Sequence, residues 1–324
     1  MSLFSLLLLF ASALLLSAAL TFFLIPLLQR KKVGQTILAI GPAWHKPKEG
    51  TPTMGGLIFL FVIPFLTALA VFLSDGMIPE TLIFVLLFAF ANGAIGWVDD
   101  QTKRMKKQNQ GLLPWQKLFL QSLFTAGFFY LLLRFGDISP TIALPFLPIT
   151  APFGFPVLFL FFVGVLGILN CVNLSDGIDG LTATSTLIIG IFFTVFGIGS
   201  PSSALTALGA ALSGTMAGFL LFNRHPAKIF MGDTGSLFLG GLLSSAAFLT
   251  KNPTVLPIYS FLFLLEGGSV ILQVLVFKRT GKRVFKMAPL HHHLEKCGWR
   301  ENKIVLVFSF ITLICCFFTL FALL

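Results

Sequence analysis

Long runs without a charged residue decide what this chain can become. Met1–Pro26 carries no charge at all, and the first charges are Arg30, Lys31 and Lys32, after the apolar run. A spanning helix needs about 20 mostly apolar residues, and runs of that kind recur at 3–29, 53–73, 79–98, 117–135, 152–170, 181–199, 203–222, 235–250, 253–278 and 303–323. A Pro-rich stretch over 140–156 leaves the start of the fifth run open, and the eighth is short and Gly-rich. Charged residues make up 10% of the chain, against about 25% in soluble domains. Mean hydropathy is +0.95. Lipid must therefore be the solvent. The expected fold is an all-α, polytopic integral membrane protein of about ten transmembrane helices, with residues 1–324 forming a single transmembrane domain.

The order of charges at the N-terminus is not that of a signal peptide, which opens with a basic segment. It fits a retained helix. The four cysteines, Cys171, Cys297, Cys315 and Cys316, form no CxxC pair, so no disulfide or zinc framework follows.

Charge gives the topology. Cytoplasmic loops collect Lys and Arg. With ten spans, the loops after spans 1, 3, 7 and 9 share one side. They hold Arg30, Lys31, Lys32, Lys46 and Lys48; then Lys103, Arg104, Lys106, Lys107 and Lys117; then Arg224 and Lys228; then Lys278, Arg279, Lys282, Arg283, Lys286, Lys296, Arg300 and Lys303. That is 20 of 22 basic residues, leaving only Arg134 and Lys251. An even span count with both termini outside keeps this set on one face. The formal charge of +10 follows from that asymmetry, and it also attracts anionic lipid and anionic substrate. Nucleic acid is excluded as a partner, because no soluble basic domain with aromatic platforms is present.

Eight of 12 acidic residues fall on the same face: Glu49, Asp99, Asp100, Asp176, Asp179, Asp233, Glu295 and Glu301. Carboxylates at a membrane boundary are costly and mark functional candidates. Four segments carry six of them. In Gly96-Trp97-Val98-Asp99-Asp100-Gln101-Thr102-Lys103, adjacent carboxylates repel unless a cation lies between them, and a continued helix puts Asp99 and Lys103 on one face. A phosphate and metal site and a solvated helix end both fit. In Asn173-Leu174-Ser175-Asp176-Gly177-Ile178-Asp179-Gly180, each Asp precedes a Gly that permits close backbone approach. Convergence of Asn173, Asp176 and Asp179 on a polar ligand competes with a turn and helix cap. In Asn223 to Ser236, Asp233 sits in a Gly-bracketed loop before an apolar run, suited to a hard cation, to an anion at a helix start, or to a simple cap. In Ala288-Pro289-Leu290-His291-His292-His293-Leu294-Glu295, three consecutive histidines cannot all face one point, so a zinc site is not expected. One or two of them against phosphate, or a solvated cluster, remain. Glu266, inside an apolar run beside Gly267-Gly268, reads either as a buried interhelical partner or as part of a proton path.

Together these segments describe a divalent-metal site for phosphate transfer, in which metal and lysines neutralise charge developing on phosphate. No GxxxxGK[ST] loop occurs, so an activated donor carrying its own pyrophosphate fits better than ATP.

The chain resembles the phospho-N-acetylmuramoyl-pentapeptide transferase family. The resemblance lies in Lys48-Glu49-Gly50-Thr51-Pro52-Thr53-Met54-Gly55-Gly56, Asp99-Asp100-Gln101-Thr102-Lys103, the Asn173–Leu181 loop, Phe230-Met231-Gly232-Asp233-Thr234-Gly235-Ser236 and Met287-Ala288-Pro289-Leu290-His291-His292-His293, in family order. It implies a ten-helix fold with the active site at the cytoplasmic face of the bacterial inner membrane, and a homodimer. It implies transfer of phospho-MurNAc-pentapeptide from UDP-MurNAc-pentapeptide to undecaprenyl phosphate, with Mg²⁺, giving lipid I and UMP for peptidoglycan. By position, Asp233 resembles the Mg²⁺ ligand and Asp99 the base, with Asp100 and His291 as other catalytic residues. Lys48, Thr53, Lys103, Lys117, Asn173, Asp176, Gly177, Ile178, Asp179, Asn223, Phe230, His292 and His293 match substrate-binding positions, with Phe230 placed to stack on uracil. Direct attack by the lipid phosphate and a two-step route through an aspartyl phosphate are both open. An N-acetylglucosamine-1-phosphate transferase and a lipid or solute transporter are the alternative functions. A transporter, however, places polar groups near the midplane.

Overall fold

A computed structural model describes residues 1–30, 48–106, 110–136, 141–147, 149–199 and 203–323. Lys31, Lys32, Lys46 and Lys107 lie outside these residues. The chain is an all-α, multi-pass membrane protein. Eight helices are long and apolar enough to cross a membrane: α1 (Leu3–Arg30), α2 (Leu57–Asp75), α3 (Glu80–Lys106), α4 (Pro114–Phe135), α5 (Phe155–Ser175), α7 (Ala204–Asn223), α10 (Phe261–Thr280) and α12 (Glu301–Leu323). The sixth and eighth expected runs form shorter helices, α6 (Leu181–Gly197, 17 residues) and α8 (Gly232–Ala246, 15 residues).

Several boundaries differ from the expected ones, four of them for a clear local reason. The second run begins as a loop: Gly55 and Gly56 donate their N–H groups to the carbonyls of Phe230 and Met231, each at 2.9 Å, while Phe230 N–H donates to Pro52 O at 2.8 Å. Helix α2 therefore starts only at Leu57. The third run continues to Lys106, so Asp99, Asp100 and Lys103 stand on the helix itself rather than in a loop. The Pro-rich stretch ahead of α5 contains a two-stranded antiparallel hairpin, β1 (Thr141–Ala143) with β2 (Thr150–Pro152), in register Ile142↔Ala151. The ninth run is broken. A 3₁₀ turn at Pro253–Val255 leads into the one-turn α9 (Leu256–Tyr259), and α10 starts afresh at Phe261.

Two buried helices organise the bundle. Helix α7 is built of small residues (Ala204, Ala207, Gly209, Ala210, Ala211, Ser213 and Gly214), which let α1 and α6 approach closely without any hydrophobic drive between helices. Helix α8, buried from Thr234 to Ala246, lies against α3 and α5. The buried stripe of α3 runs Phe88, Ala89, Asn92, Gly93, Ile95, Gly96, Asp99 and Asp100, the three-and-four spacing of one helix face. Gly96 is required at the crossing, since a Cβ there would stand 2.1 Å from Asp233 O. That backbone contact fixes the end of α3 against the start of α8. The same stripe, continued one turn, carries the charged residues.

Candidate active site

The site grows out of this crossing. Helix α8 opens with N–H groups that lack intrahelical partners. Asp100, 133 residues earlier, satisfies them: Asp233 N–H donates to its Oδ1 at 3.2 Å, and Thr234 N–H and Oγ1 donate to its Oδ2 at 2.9 and 2.6 Å. Asp100 is thus the capping carboxylate of α8. Asp233, expected as a possible cap, forms no side-chain cap and is left free to face the cleft.

Asp233 Oδ2 accepts from Lys103 Nζ at 2.7 Å and Lys117 Nζ at 3.0 Å, and its Oδ1 from Asn173 Nδ2 at 2.8 Å. Lys103 also pairs with Asp99 at 2.7 Å, the expected i,i+4 contact. Leu112 N–H donates to Asp99 Oδ1 at 2.7 Å, and the buried carboxylate lies directly beneath Gly111. One oxygen from each of Asp99, Asp100 and Asp233 lies within 4.8 Å of the others. Three carboxylates facing two ammonium groups retain negative charge, and an all-oxygen donor set of this kind suits a hard divalent cation. Thr53 Oγ1 borders the same space, beside Gly232 and Asp100 Oδ2.

The Asn173–Gly180 loop does not converge on one point. Asn173 joins the Asp233 cluster. Asp179 belongs to a second cluster: its Oδ1 accepts from Lys48 Nζ at 2.8 Å, and its Oδ2 lies 3.0 Å from His225 Nδ1 and accepts from Ala227 N–H at 3.0 Å. Glu301, at the start of α12, accepts from Lys48 Nζ at 2.8 Å and from Asp179 N–H at 3.1 Å. A cleft of about 420 Å³ adjoins this cluster, lined by Phe222, Arg224, His225, Lys228 and Asn302 among others. Asp176, at the end of α5, lies half-buried between the clusters. Removal from water, then the charges of Asp233, Asp100 and Asp179, push its carboxyl up to about 8.

Neighbouring positions hold this loop and the chain into α8. Asn223 is buried and donates to Ile229 O at 2.9 Å, bracing the 224–229 turn. Phe230 is half-buried and fixed through its backbone to Pro52 and Gly55. Ile178 packs in an apolar cluster with Leu181, Leu262, Ile304 and Phe308.

The three histidines diverge. His291 is fully buried, with its Nδ1 2.8 Å from Glu266 Oε2 and its backbone N–H donating to Glu266 Oε1 at 3.1 Å. A Cβ on Gly177 would stand 2.2 Å from His291 Nε2, so that glycine is needed to admit the imidazole rather than a ligand. His292 pairs with Glu295 at 2.6 Å within α11 (Leu290–Lys296). His293 accepts from Lys286 N–H at 3.1 Å and lies against Phe285, tied within its own segment.

Sequence reasoning did not single out His225 or Glu301 as site residues. Glu301 was counted among the eight carboxylates of the basic face, but it lies outside the four segments; for His225 there was only its place in the Asn223–Ser236 block. Glu266 was read with its pairing open, and its partner is His291.

Comparison with known proteins gives the family. The model of glycosyl transferase family 4 matches residues 82–251. Signature 1 of phospho-N-acetylmuramoyl-pentapeptide-transferase matches residues 48–60. The chain is 43% identical over 293 residues to the phospho-N-acetylmuramoyl-pentapeptide-transferase of Clostridium botulinum (strain Alaska E43 / Type E3), covering 90% of this chain and 88% of the relative. It is 43% identical over 298 residues to that of Heliobacterium modesticaldum, covering 91% and 90%. It is 45% identical over 303 residues to that of Acetivibrio thermocellus, covering 93% and 90%. With its carboxylate cluster on the third and eighth helices and these relatives along nine-tenths of its length, the chain belongs to the phospho-N-acetylmuramoyl-pentapeptide-transferase family.

Proposed function

We propose that this protein transfers phospho-MurNAc-pentapeptide from UDP-MurNAc-pentapeptide to undecaprenyl phosphate, giving lipid I and UMP for peptidoglycan synthesis at the bacterial inner membrane. The observation that carries this reading is the Asp99–Asp100–Asp233 cluster, neutralised in part by Lys103 and Lys117. Phosphoryl transfer is largely positioning and electrostatic stabilisation, and these groups supply both. Asp99 takes the proton of the lipid phosphate. The freed oxygen attacks the phosphorus that bears the sugar, and the bond from that phosphorus to the UMP oxygen breaks. Lys103 and Lys117 stabilise charge on the transferring and leaving phosphates. Asp233, with Asp99 beside it, would hold Mg²⁺, which supplies further neutralisation of the pyrophosphate. Asp100 holds Asp233 in place through the start of α8. Lys48, Thr53, Asn173, Asp176, Gly177, Ile178, Asp179, Asn223 and Phe230 form the donor side of the cleft, with His292 and His293 as more distant contributors.

Ten membrane crossings, both termini outside and a homodimeric assembly belong to the same proposal. The test is UMP release by the purified protein with undecaprenyl phosphate and Mg²⁺, comparing UDP-MurNAc-pentapeptide with UDP-N-acetylglucosamine. Release with the muramoyl donor alone, lost on chelation, is expected. Release with the N-acetylglucosamine donor alone would reassign the substrate, and release with neither would remove the transferase reading.

A further inference from the structure

Glu266 is an ionisable residue without exposure to water or lipid, in the apolar first half of α10. Such a group is costly unless paired. Its depth follows from its neighbour. Gly267 packs on Cys171, where a Cβ would stand 2.2 Å from Sγ, and Cys171 lies one turn before the end of α5 at Ser175. Glu266 therefore stands about one helical turn inside the face where the carboxylates gather, not at mid-membrane.

Both of its oxygens point at one residue. Oε1 accepts the backbone N–H of His291 at 3.1 Å, and Oε2 lies 2.8 Å from its Nδ1. An ionised carboxylate can only accept, so this pair keeps the proton on Nδ1. The backbone contact fixes where the residue sits, and the ring contact fixes how the ring turns. What remains is Nε2. It is buried, has no hydrogen-bond partner among the described residues, and faces Gly177 in the loop between the two carboxylate clusters. Cys171, on α5, is the other titratable group beside Glu266, and the His292 ring lies 4.2 Å from the His291 ring on α11.

We infer that Glu266 is a positioning residue for the transfer reaction: it orients His291 and sets its tautomer, so that Nε2 is presented to the Asp176–Asp179 side of the cleft as a lone pair when the ring is neutral and as a donor to a phosphate oxygen when it is charged. This rests on the transferase reading above. Carboxylate–imidazole pairs elsewhere hold the ring in the same way. Apolar packing would keep α10 against α5 equally well, so a carboxylate here is explained by its effect on the imidazole.

The decisive variant is Glu266→Gln, which keeps size and shape. Its amide oxygen can still accept the His291 N–H, but its NH₂ then meets Nδ1 and moves the ring proton to Nε2. In the full-length protein we expect kcat for UMP release to fall about 10²-fold. The KM for UDP-MurNAc-pentapeptide and the melting temperature should stay close to wild type, and Glu266→Asp should recover part of the rate. ¹⁵N spectra of histidine-labelled protein, assigned with His291→Gln, should show the ring proton on Nδ1 in the wild type and on Nε2 in Glu266→Gln. Unchanged kcat in Glu266→Gln would overturn the inference. So would a loss matched by lost donor binding or lost stability, without recovery in Glu266→Asp, because that is the behaviour of a packing residue. The spectra do not depend on turnover. An inactive wild type with the expected tautomers would therefore count against the transferase reading alone, and an Nε2 proton in the wild type would sink the role of Glu266 itself.

Discussion

The two carboxylate clusters are similar in composition and different in construction. Asp99, Asp100 and Asp233 with Lys103 and Lys117 stand on three helices, two of them in backbone contact at Gly96. Asp179, His225 and Glu301 with Lys48 join three loops to the start of α12, and the His225 side chain is 40% exposed. The first cluster holds its geometry through the scaffold and leaves Asp233 facing the cleft. The second holds loops together through its own ion pairs. On the proposed function, chemistry that needs charge fixed in advance falls to the first, and recognition that needs walls to close falls to the second.

Breaking the first cluster should have the largest effect. Asp233→Ala is expected to lower kcat by about 10³-fold or more, with the fold kept, because Asp100 caps α8 whatever residue 233 is. UMP release, repeated after metal chelation, measures it; an active variant would remove Asp233 from the reaction. Next comes the scaffold. Gly96→Ala drives a methyl group into the Asp233 carbonyl, an overpacking that costs about 1–3 kcal/mol. We expect a lower melting temperature and a lower kcat together, whereas a wild-type rate would show that the two helices need not touch. In the second cluster, Lys48→Met leaves Asp179 and Glu301 buried beside each other. Removing one partner of a buried pair costs about 3 kcal/mol, so thermal stability should drop and KM for the UDP donor should rise more than kcat falls. The reverse pattern would place Lys48 with the chemistry.

A final test sharpens the boundary between the clusters. The carboxyl of Asp176 titrates at about 8 in the folded chain, against 3.8 for an unperturbed group. The folded state therefore binds this proton more tightly than the unfolded one, and stability falls as pH rises from about 4 to about 8. Asp176→Asn should remove that part of the slope in melting temperature against pH. An unchanged slope would show that Asp176 is already ionised in the folded protein.

The α3 part of the first cluster was legible in the sequence because helical spacing gathers it, whereas Lys117 and Asp233 reach it from α4 and α8. Gly96, Asp99, Asp100 and Lys103 fall at i, i+3, i+4 and i+7, and the apolar run before them announces the helix. The second was not, because Lys48 and Glu301 are 253 residues apart and no local pattern links a loop lysine to the first turn of a distant helix. The glycines were half legible. Gly177 was read as room for a ligand, and the structure fills that room with the His291 imidazole. The hairpin at 141–152 showed only as a Pro-rich stretch, and the break ahead of α10 was hidden inside an apolar run. Glu266 showed itself as an oddity, but its partner stood beyond the rest of α10 and the 281–289 segment, at the start of α11.

The cap that Asp100 provides has a consequence for how the molecule yields to a ligand. Because α3 holds the opening N–H groups of α8, Asp99, Asp100 and Asp233 shift as one rigid body or not at all. Whatever adjustment a bulky donor demands falls on the segments around it: 48–56, the Gly111–Leu112 cover over Asp99, and the 176–180 loop. The cleft thus has a stiff floor and compliant walls. Substitutions in the walls alter which molecules fit while leaving the reacting geometry intact, so preference for a donor, or escape from a competitor that mimics one, is free to change without rebuilding the site of transfer.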